Sequence, residues 1–361
     1  MKFLFIIQGE GRGHMTQALA LKQILHDAGH SLEKVIIGKS ERRVVPEFFV
    51  EKIGAPIDTV QSPNFVTDKQ NKSINLRSTI TYNARHIKQY LGSLSAINSV
   101  VKEVQPDIIV SFYELMTGLY SKFYSPDIPL VTIGHQYMFF HPDYKFPDGY
   151  TSDRVLTKIF TSATSMGAER RLALSYYPAD DLPDKNIQVV PPLLRDKLFV
   201  QPKDREEDFL LLYLMNSGYG ENVIQWHKEN SEVELHCFWD NREVEEVWSY
   251  DENLTFHRLH DLKFLEMMAR CKGLVCTAGF ESISEAMYLN KPVFMIPTEG
   301  HFEQISNAMD AASVGAGIYA SEYDLSRFLK YIPSYQSNHQ DFRNWVDTAD
   351  EKYLEIFENV I

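Results

Sequence analysis

Short, almost uninterrupted apolar runs recur along the chain, each bounded by glycine, proline or a polar cluster. Lys2–Gln8, Val35–Ile37, Ile108–Ser111, Leu130–Ile133, Ile187–Val190, Phe209–Leu214, Glu234–Trp239, Leu274–Cys276 and Val293–Ile296 are of this kind. Runs this short and this apolar predict strands of a parallel sheet buried on both faces. Between them the period changes to that of amphipathic helices. Met15–Gly29 places Leu19, Leu21, Ile24 and Leu25 on one face, and Leu115–Tyr124, Phe264–Arg270 and Tyr323–Lys330 read similarly. Arg154–Leu174 also reads as helix, Thr255–Asp261 as a loop, and Asp341–Val360 as one final amphipathic helix. Strands alternating with helices predict βα units and an α/β fold. The polar run Gln201–Asp208 divides two such series and reads as an interdomain linker. A length of 361 residues fits two domains.

Charge and composition narrow the classes. The chain carries 49 acidic against 36 basic residues, a net charge of −13, which argues against a general nucleic-acid binder. Its three cysteines, Cys237, Cys271 and Cys276, form no Cys-x-x-Cys and suit a reducing compartment. The opening apolar run is too short for a signal sequence. No apolar stretch reaches the roughly 18 residues of a membrane-spanning helix. The expectation is a cytoplasmic protein, with room for peripheral contact at the inner face of the membrane. One stretch departs from the acidic average: Thr67–Tyr90 carries Lys69, Lys72, Arg77, Arg85, His86 and Lys88 against Asp68. It reads either as a solvated helix face and loop or as a surface for lipid or an anionic acceptor.

Two turns carry candidate chemistry. The first strand leads into Gly9-Glu10-Gly11-Arg12-Gly13-His14. This is a poor dinucleotide fingerprint: the third glycine is misplaced, and Glu10 puts a negative charge where a pyrophosphate would lie. His14, with an ordinary pKa of about 6.5, can accept a proton from a hydroxyl at neutral pH. The second turn, Thr277-Ala278-Gly279, joins a buried strand to a helix entered at Glu281-Ser282. Helix N-termini offer N–H groups and a positive dipole end to anions. Glu285, four residues after Glu281, leans back toward that turn, and a carboxylate suits a ribose diol. Together they describe a nucleotide-diphosphate site.

The run Gly-Phe-Glu-Ser-Ile-Ser-Glu-Ala, then Lys-Pro-Val-Phe-Met-Ile-Pro, then His-Phe-Glu-Gln-Ile-Ser-Asn-Ala, ending at Ala308, resembles the donor signature of GT-B glycosyltransferases. The nearest families are the peptidoglycan lipid-linked N-acetylglucosaminyltransferases and the UDP-glycosyltransferases. The resemblance implies two Rossmann-like, doubly wound domains facing each other across a cleft: residues 1–200 for the acceptor, 208–335 for the donor, and a helix at 336–361 packing back on the first. Carried over, Gly279, Phe280, Glu281 and Ser282 hold the diphosphate, Glu285 the ribose, and Glu303 and Gln304 the donor sugar. Relatives often show Asp-Gln or Gln-Gln at that pair, so the sugar's identity stays open. Ser217 and Gly218 form the other half of the donor floor, Arg195 lies near the phosphates, and the backbone around Arg258, Leu259 and His260 grips a uracil.

On the acceptor side the Gly11-Arg12-Gly13-His14 turn resembles the family's N-terminal glycine-rich loop, which makes His14 the general base. Glu114, at the carboxyl end of a strand, and His135 and Gln136, at the end of the next, are placed in the cleft. The aromatic stretch Tyr137, Phe139, Phe140, Tyr144, Phe146 and Tyr150 reads as loop packing or as a stacking surface for an acceptor. The implied activity is an inverting transfer of a UDP-linked sugar to the hydroxyl of a sugar or lipid-linked acceptor, in cell-envelope glycan or glycolipid synthesis. The nucleotide-sugar is a substrate, and no cofactor or metal is expected, in keeping with the lack of any Asp-x-Asp pair. A nucleotide-sugar epimerase or hydrolase of the same fold, or a non-catalytic nucleotide-sugar-binding protein, remains open from the sequence.

Overall fold

The computed structural model describes residues 1–40, 43–63, 76–202, 206–214, 218–239 and 245–360, with the side chains of 76–80 left out. Ser217, and Asp68, Lys69 and Lys72 of the basic stretch, lie outside the described residues. The chain divides into two compact units. The first holds Met1–Tyr144, Asp148–Arg195 and Trp345–Ile361, and the second holds Lys145–Pro147 and Asp196–Asn344.

The first unit is built on β1 (Lys2–Gln8), β2 (Ser31–Lys39), β3 (Ile57–Gln61), β4 (Ile108–Phe112), β5 (Leu130–Gly134), β6 (Arg170–Leu174) and β7 (Ile187–Val190). They form a seven-stranded sheet in the order β3-β2-β1-β4-β5-β6-β7, parallel throughout. The second contains β8 (Phe209–Leu214), β9 (Glu234–Trp239), β10 (Val247–Ser249), β11 (Leu254–Arg258), β12 (Gly273–Cys276), β13 (Val293–Met295) and β14 (Gly317–Tyr319). Its order is β10-β11-β9-β8-β12-β13-β14, parallel except where β10 runs against β11. Helices on both faces explain the continuous apolar runs: Phe3 to Ile7 in β1 and Leu274 to Cys276 in β12 are all buried.

Three segments depart from the sequence pattern. Arg154–Leu174 is a helix over Thr151–Thr164, a turn through Gly167 at φ +72°, and then β6. A short apolar run such as Leu172–Leu174 has no period of its own, and pairing with β5 and β7 makes it a strand. Thr255–Arg258 belongs to β11 rather than to a loop, which leaves Leu259 and His260 as the connection to the helix Asp261–Arg270. The final helix is two, His339–Val346 and Ala349–Glu358. Trp345 Nε1–H donates to the Ser175 carbonyl at 3.0 Å and the Tyr353 hydroxyl to the Pro191 carbonyl at 3.0 Å, which ties the last segment to the first unit.

A buried carboxyl organises the first sheet. Glu114 caps the helix Leu115–Tyr124, its Oε1 accepting the Met116 N–H at 3.0 Å and the Ser62 hydroxyl at 2.5 Å. It is 0% exposed, and a Cβ on Gly38 at the end of β2 would overlap its carboxyl. Burial pushes its pKa from 4.5 up to about 7, with the charge of Glu10 adding to the rise and the two hydrogen bonds opposing it. A carboxyl raised in this way stabilises the fold while protonated. That contribution is complete below pH 4.5 and is lost as pH rises through about 7. Glu114→Gln is therefore expected to flatten the pH dependence of unfolding free energy between those values, by roughly 3 kcal/mol at most. Urea unfolding across that range checks it, and an unchanged slope in the variant would show that Glu114 does not titrate there.

Candidate active site

Among the parallel strands of each sheet the chain order reverses once, between β1 and β4 in the first unit and between β8 and β12 in the second. Connections leaving the carboxyl ends of such neighbouring strands go to opposite faces, which opens a crevice where ligands of doubly wound sheets bind. Both turns singled out in the sequence sit at these points.

In the first unit, β1 runs through Gly9-Glu10-Gly11 into the helix Arg12–Asp27, which begins earlier than its apolar period suggests. Gly13 and His14 thus lie in its first turn, with Gly11 as N-cap. A Cβ on Gly11 would meet nothing within 4 Å, so the approach to this turn is open. His14 is half-buried, with Nδ1 hydrogen-bonded to Gln17 Oε1 at 3.2 Å. Gln17 Oε1 can only accept, so Nδ1 carries the proton and Nε2 is the basic nitrogen. The imidazole also stacks on Tyr113, ring centroids 5.8 Å apart and planes 24° from parallel. Tyr113 follows β4 in a left-handed conformation, φ +56°, and its hydroxyl is hydrogen-bonded to Thr161 Oγ1 at 2.7 Å. Ring orientation and tautomer of His14 are therefore both held by neighbours.

Glu10 is held by the Ser40 N–H at 2.7 Å and by Arg43 Nε at 3.3 Å. Glu114, whose pKa its charge helps to raise, lies behind it in the interior of the unit. Glu114 itself is spent inside the unit as a helix cap. His135 and Gln136, beyond β5, are also buried. His135 Nδ1–H donates to the Leu174 carbonyl at 2.7 Å, and burial pushes its pKa down to about 4, so the ring is neutral at pH 7. Arg12 and Arg195 are half-buried, Arg195 being the last residue before the second unit.

In the second unit, β12 ends in Thr277-Ala278-Gly279 and the helix Phe280–Tyr288 follows. Ala278 is left-handed, φ +62°, and Asn307 Nδ2–H donates to its carbonyl at 3.2 Å. Gly279 is the N-cap, at φ −72° and ψ 132°, a conformation open to any residue, and it supplies no capping side chain. A Cβ there would meet only Ser282 Oγ, at 3.5 Å. Neither packing nor backbone conformation within the unit calls for glycine at this position, and the helix N-terminus has no side-chain cap. Phe280 and Ser282 are buried and Glu281 half-buried, while Glu285 is 2% exposed. Glu303 and Gln304 lie in the first turn of Phe302–Ser313, reached from β13 beside β12. Gly218 precedes the helix Tyr219–Glu229 that follows β8. Leu259 precedes His260, whose Nδ1 accepts the Lys263 N–H at 3.2 Å as helix cap.

The structure thus gathers Gly11–His14 in one turn of the first unit, and Gly279–Glu285 with Glu303 and Gln304 on adjacent connections of the second. Sequence reasoning missed the residues that hold these turns: Tyr113, Gln17, Asn307 and Thr298. Asn307 stood in the quoted motif, but nothing in a one-dimensional pattern shows a side chain bonding to a backbone carbonyl 29 residues away.

The sequence matches the family described as Glycosyl transferase family 1 over residues 1–333. It is 22% identical over 383 residues to the UDP-N-acetylglucosamine–N-acetylmuramyl-(pentapeptide) pyrophosphoryl-undecaprenol N-acetylglucosamine transferase of Fusobacterium nucleatum, covering 99% of this chain and 90% of that one. In fold it is similar to the glycotransferase of kitacinnamycin, with a TM-score of 0.66 at 15% identity over 99% of this chain and 98% of that one. It is also similar to MurG of Acinetobacter baumannii, with a TM-score of 0.60 at 14% identity over 99% and 100%. With its pair of doubly wound sheets, this chain belongs to glycosyl transferase family 1 and is a glycosyltransferase of the GT-B fold.

Proposed function

We propose that this glycosyltransferase inverts configuration, uses a UDP-linked sugar, and transfers it to a hydroxyl of a lipid-linked acceptor at a membrane surface. The observation that carries the donor assignment is the contrast between the two crevices. In the first unit the helix after the strand is capped by the buried Glu114, and Glu10 lies close enough to raise its pKa. A diphosphate would meet the Glu10 carboxyl group there, and the helix start that could receive it is already capped by Glu114. In the second unit the equivalent helix begins at Gly279 with no side-chain cap and room for a ligand. Its N–H groups and dipole suit the diphosphate, and they stabilise the charge that develops on it as the sugar leaves.

Glu285, one turn into the same helix, takes the ribose diol. The backbone beside Leu259 takes the uracil, and Glu303 and Gln304 take the sugar. Ser217 and Gly218 complete the donor floor, and Arg195 adds positive charge near the phosphates. His14 Nε2 accepts the acceptor hydroxyl's proton as its oxygen attacks the anomeric carbon. The bond from that carbon to the diphosphate oxygen breaks on the opposite face, which inverts configuration. No resident cofactor takes part in this scheme, and the chain has no Asp-x-Asp pair to recruit a divalent cation. The name of the Fusobacterium relative, which specifies a UDP-sugar donor and a pyrophosphoryl-undecaprenol acceptor, supports both choices.

The outer surface of the first unit supports the lipid-linked acceptor. Three neighbouring helices expose Ile87 and Leu91, then Phe123 and Tyr124, then Val155, Leu156 and Ile159, with Phe123 at 69% and Ile159 at 61%. Arg154 and Lys185 lie near enough to Lys158 to lower its pKa after burial, so cations are concentrated beside these apolar residues in a chain of net charge −13. Apolar side chains ringed by cations fit an anionic lipid surface. Among the described residues no helix is long and apolar enough to cross a membrane.

Thermal-shift titration against UDP, GDP, dTDP and CMP is expected to show stabilisation by UDP. Gly279→Asp, which places a carboxylate where Glu114 stands in the first unit, should abolish that shift without lowering the melting temperature of the free protein. A retained UDP shift in this variant would put the diphosphate elsewhere.

His14→Ala should reduce transfer by roughly 10² to 10⁴-fold while UDP still binds. Transfer at the wild-type rate would remove His14 as the base.

The protein should sediment with vesicles containing anionic lipid and not with purely zwitterionic ones, and Ile159→Glu should weaken that association. Equal behaviour with both vesicle types would rule out the docking face.

A further inference from the structure

Leu259 lies on the connection from β11 to the helix Asp261–Arg270, and beside it four side chains form a single chain of hydrogen bonds. Lys263 Nζ lies 3.1 Å from His257 Nδ1, and an ammonium can only donate, so that ring nitrogen accepts and is bare. The proton of the neutral His257 ring is then on Nε2, which donates to His236 Nδ1 at 3.0 Å. His236 Nε2–H in turn donates to Glu234 Oε1 at 3.1 Å. One tautomer of each ring satisfies the whole chain, which runs in one direction from an ammonium to a carboxylate. Lys263 is tied a second time, its backbone N–H donating to His260 Nδ1 at 3.2 Å. Both of these bonds end on a histidine nitrogen that must stay unprotonated.

On the strand side the connection is held by the sheet: Arg258 pairs with Trp239 of β9, and its N–H donates to the Glu246 carbonyl at 2.8 Å. On the helix side it is held through Lys263. A proton on His260 Nδ1 removes the cap, and a proton on His257 Nδ1 sets an imidazolium against the ammonium. His257 is 4% exposed, but the chain opens on a cavity of about 630 Å³ lined by His236, His257, His260 and Lys263, together with Glu266 and the ion pair of Glu207 and Arg270. β10 adds no titratable group over Val247–Ser249. Burial pushes the pKa of His257 from 6.5 down to about 3, and the charges of Lys263 and His236 add to the fall. Burial also lowers His236, against the pull of Glu234. Rings lowered in this way stabilise the connection fully above pH 6.5, and that contribution is lost as pH falls toward about 3.

We propose that His257 and His260 are positioning residues for nucleobase recognition, holding Lys263, and with it the backbone beside Leu259, in the form that receives the base only while both rings are unprotonated. This inference rests on the nucleobase placement proposed above. Acid frees the connection, so the enzyme loses its discrimination between bases before it loses the diphosphate, which is assigned to a separate connection at Gly279. The regulation is thus of which nucleotide is taken, and its input is the proton.

The test measures dissociation constants for UDP and GDP from about pH 8 to about pH 4 on wild type and variants, with melting temperatures at each pH. The terminal phosphate titrates alike on both nucleotides, so the ratio of the two constants reports the base alone. In wild type the preference for UDP should be steady above pH 6.5 and fall below it, by about 5-fold for each hydrogen bond lost. Lys263→Met removes the ammonium and should cut the preference by about 5-fold already at neutral pH. His257→Gln offers Lys263 an acceptor and His236 a donor without titrating, and His260→Asn keeps a capping acceptor without titrating. The variant carrying both should match wild type at high pH and hold that preference as pH falls.

A wild type that binds neither nucleotide fails at the donor site itself. If UDP binds no better than GDP at neutral pH, or its preference is the same at every pH, the donor site stands and this inference falls. A variant with both histidines replaced that loses preference in acid as wild type does also overturns it. So does Lys263→Met if it lowers the melting temperature and leaves the preference intact, since the chain of bonds then serves the fold alone. Should Lys263→Met not fold, the histidine variant decides.

Discussion

A helix that starts directly after a parallel strand leaves N–H groups at its first turn, and something negative must answer them. The two units meet this demand in opposite ways. In the first, Glu114 turns its carboxyl back under its own helix and is sealed by Gly38 of β2 and the Ser62 hydroxyl. In the second, Gly279 supplies nothing, and the space its missing side chain would fill is open. Two sheets that share a reversal of strand order at their centre thus differ in how the helix beside it is capped. One of these helix starts carries the protein's own buried carboxyl as its cap, and the other has no side-chain cap.

The same logic explains why glycine means different things in the two turns. At Gly38 it is a packing requirement, because any side chain would displace a buried carboxyl. At Gly11 and Gly279 no neighbour demands it, and backbone conformation does not either. Charge sorts these two turns further. Glu10 stands beside Gly11, held by the Ser40 N–H and Arg43. No carboxylate caps the turn at Gly279.

Much of this was legible in the sequence. Strands buried on both faces announce themselves by unbroken apolar runs, and β1, β7, β8 and β9 have the bounds that the pattern gives. The two glycine turns at the ends of β1 and β12 were also legible as turns between a strand and a helix. What failed was whatever depends on partners distant in the chain. The run Leu172–Leu174 has no intrinsic period, and only β5 and β7 decide that it is a strand. Glu114 and His135 were placed at the correct ends of their strands, but position along a strand does not say whether a side chain turns outward or into the core. Both turn inward, and the cost of burial is visible in their pKa values, raised to about 7 and lowered to about 4.

Backbone strain makes the final link between fold and chemistry. The residue preceding the cap is left-handed in both units, Tyr113 at φ +56° and Ala278 at φ +62°, and neither is glycine. Each such residue costs roughly 1–2 kcal/mol and persists only where neighbours enforce it. Tyr113 is enforced through its hydroxyl on Thr161, and the strain turns its ring against His14. Ala278 is enforced through its carbonyl on Asn307, and the strain aims the following helix start at open space. A glycine at either position would relieve the strain and also free the turn. The cost is therefore tied to orientation: one strained residue fixes the face of an imidazole, and the other fixes the direction of a helix dipole. Both are set by contacts within their own unit, and on the function proposed above such preorganisation is what a fixed base and a fixed dipole require.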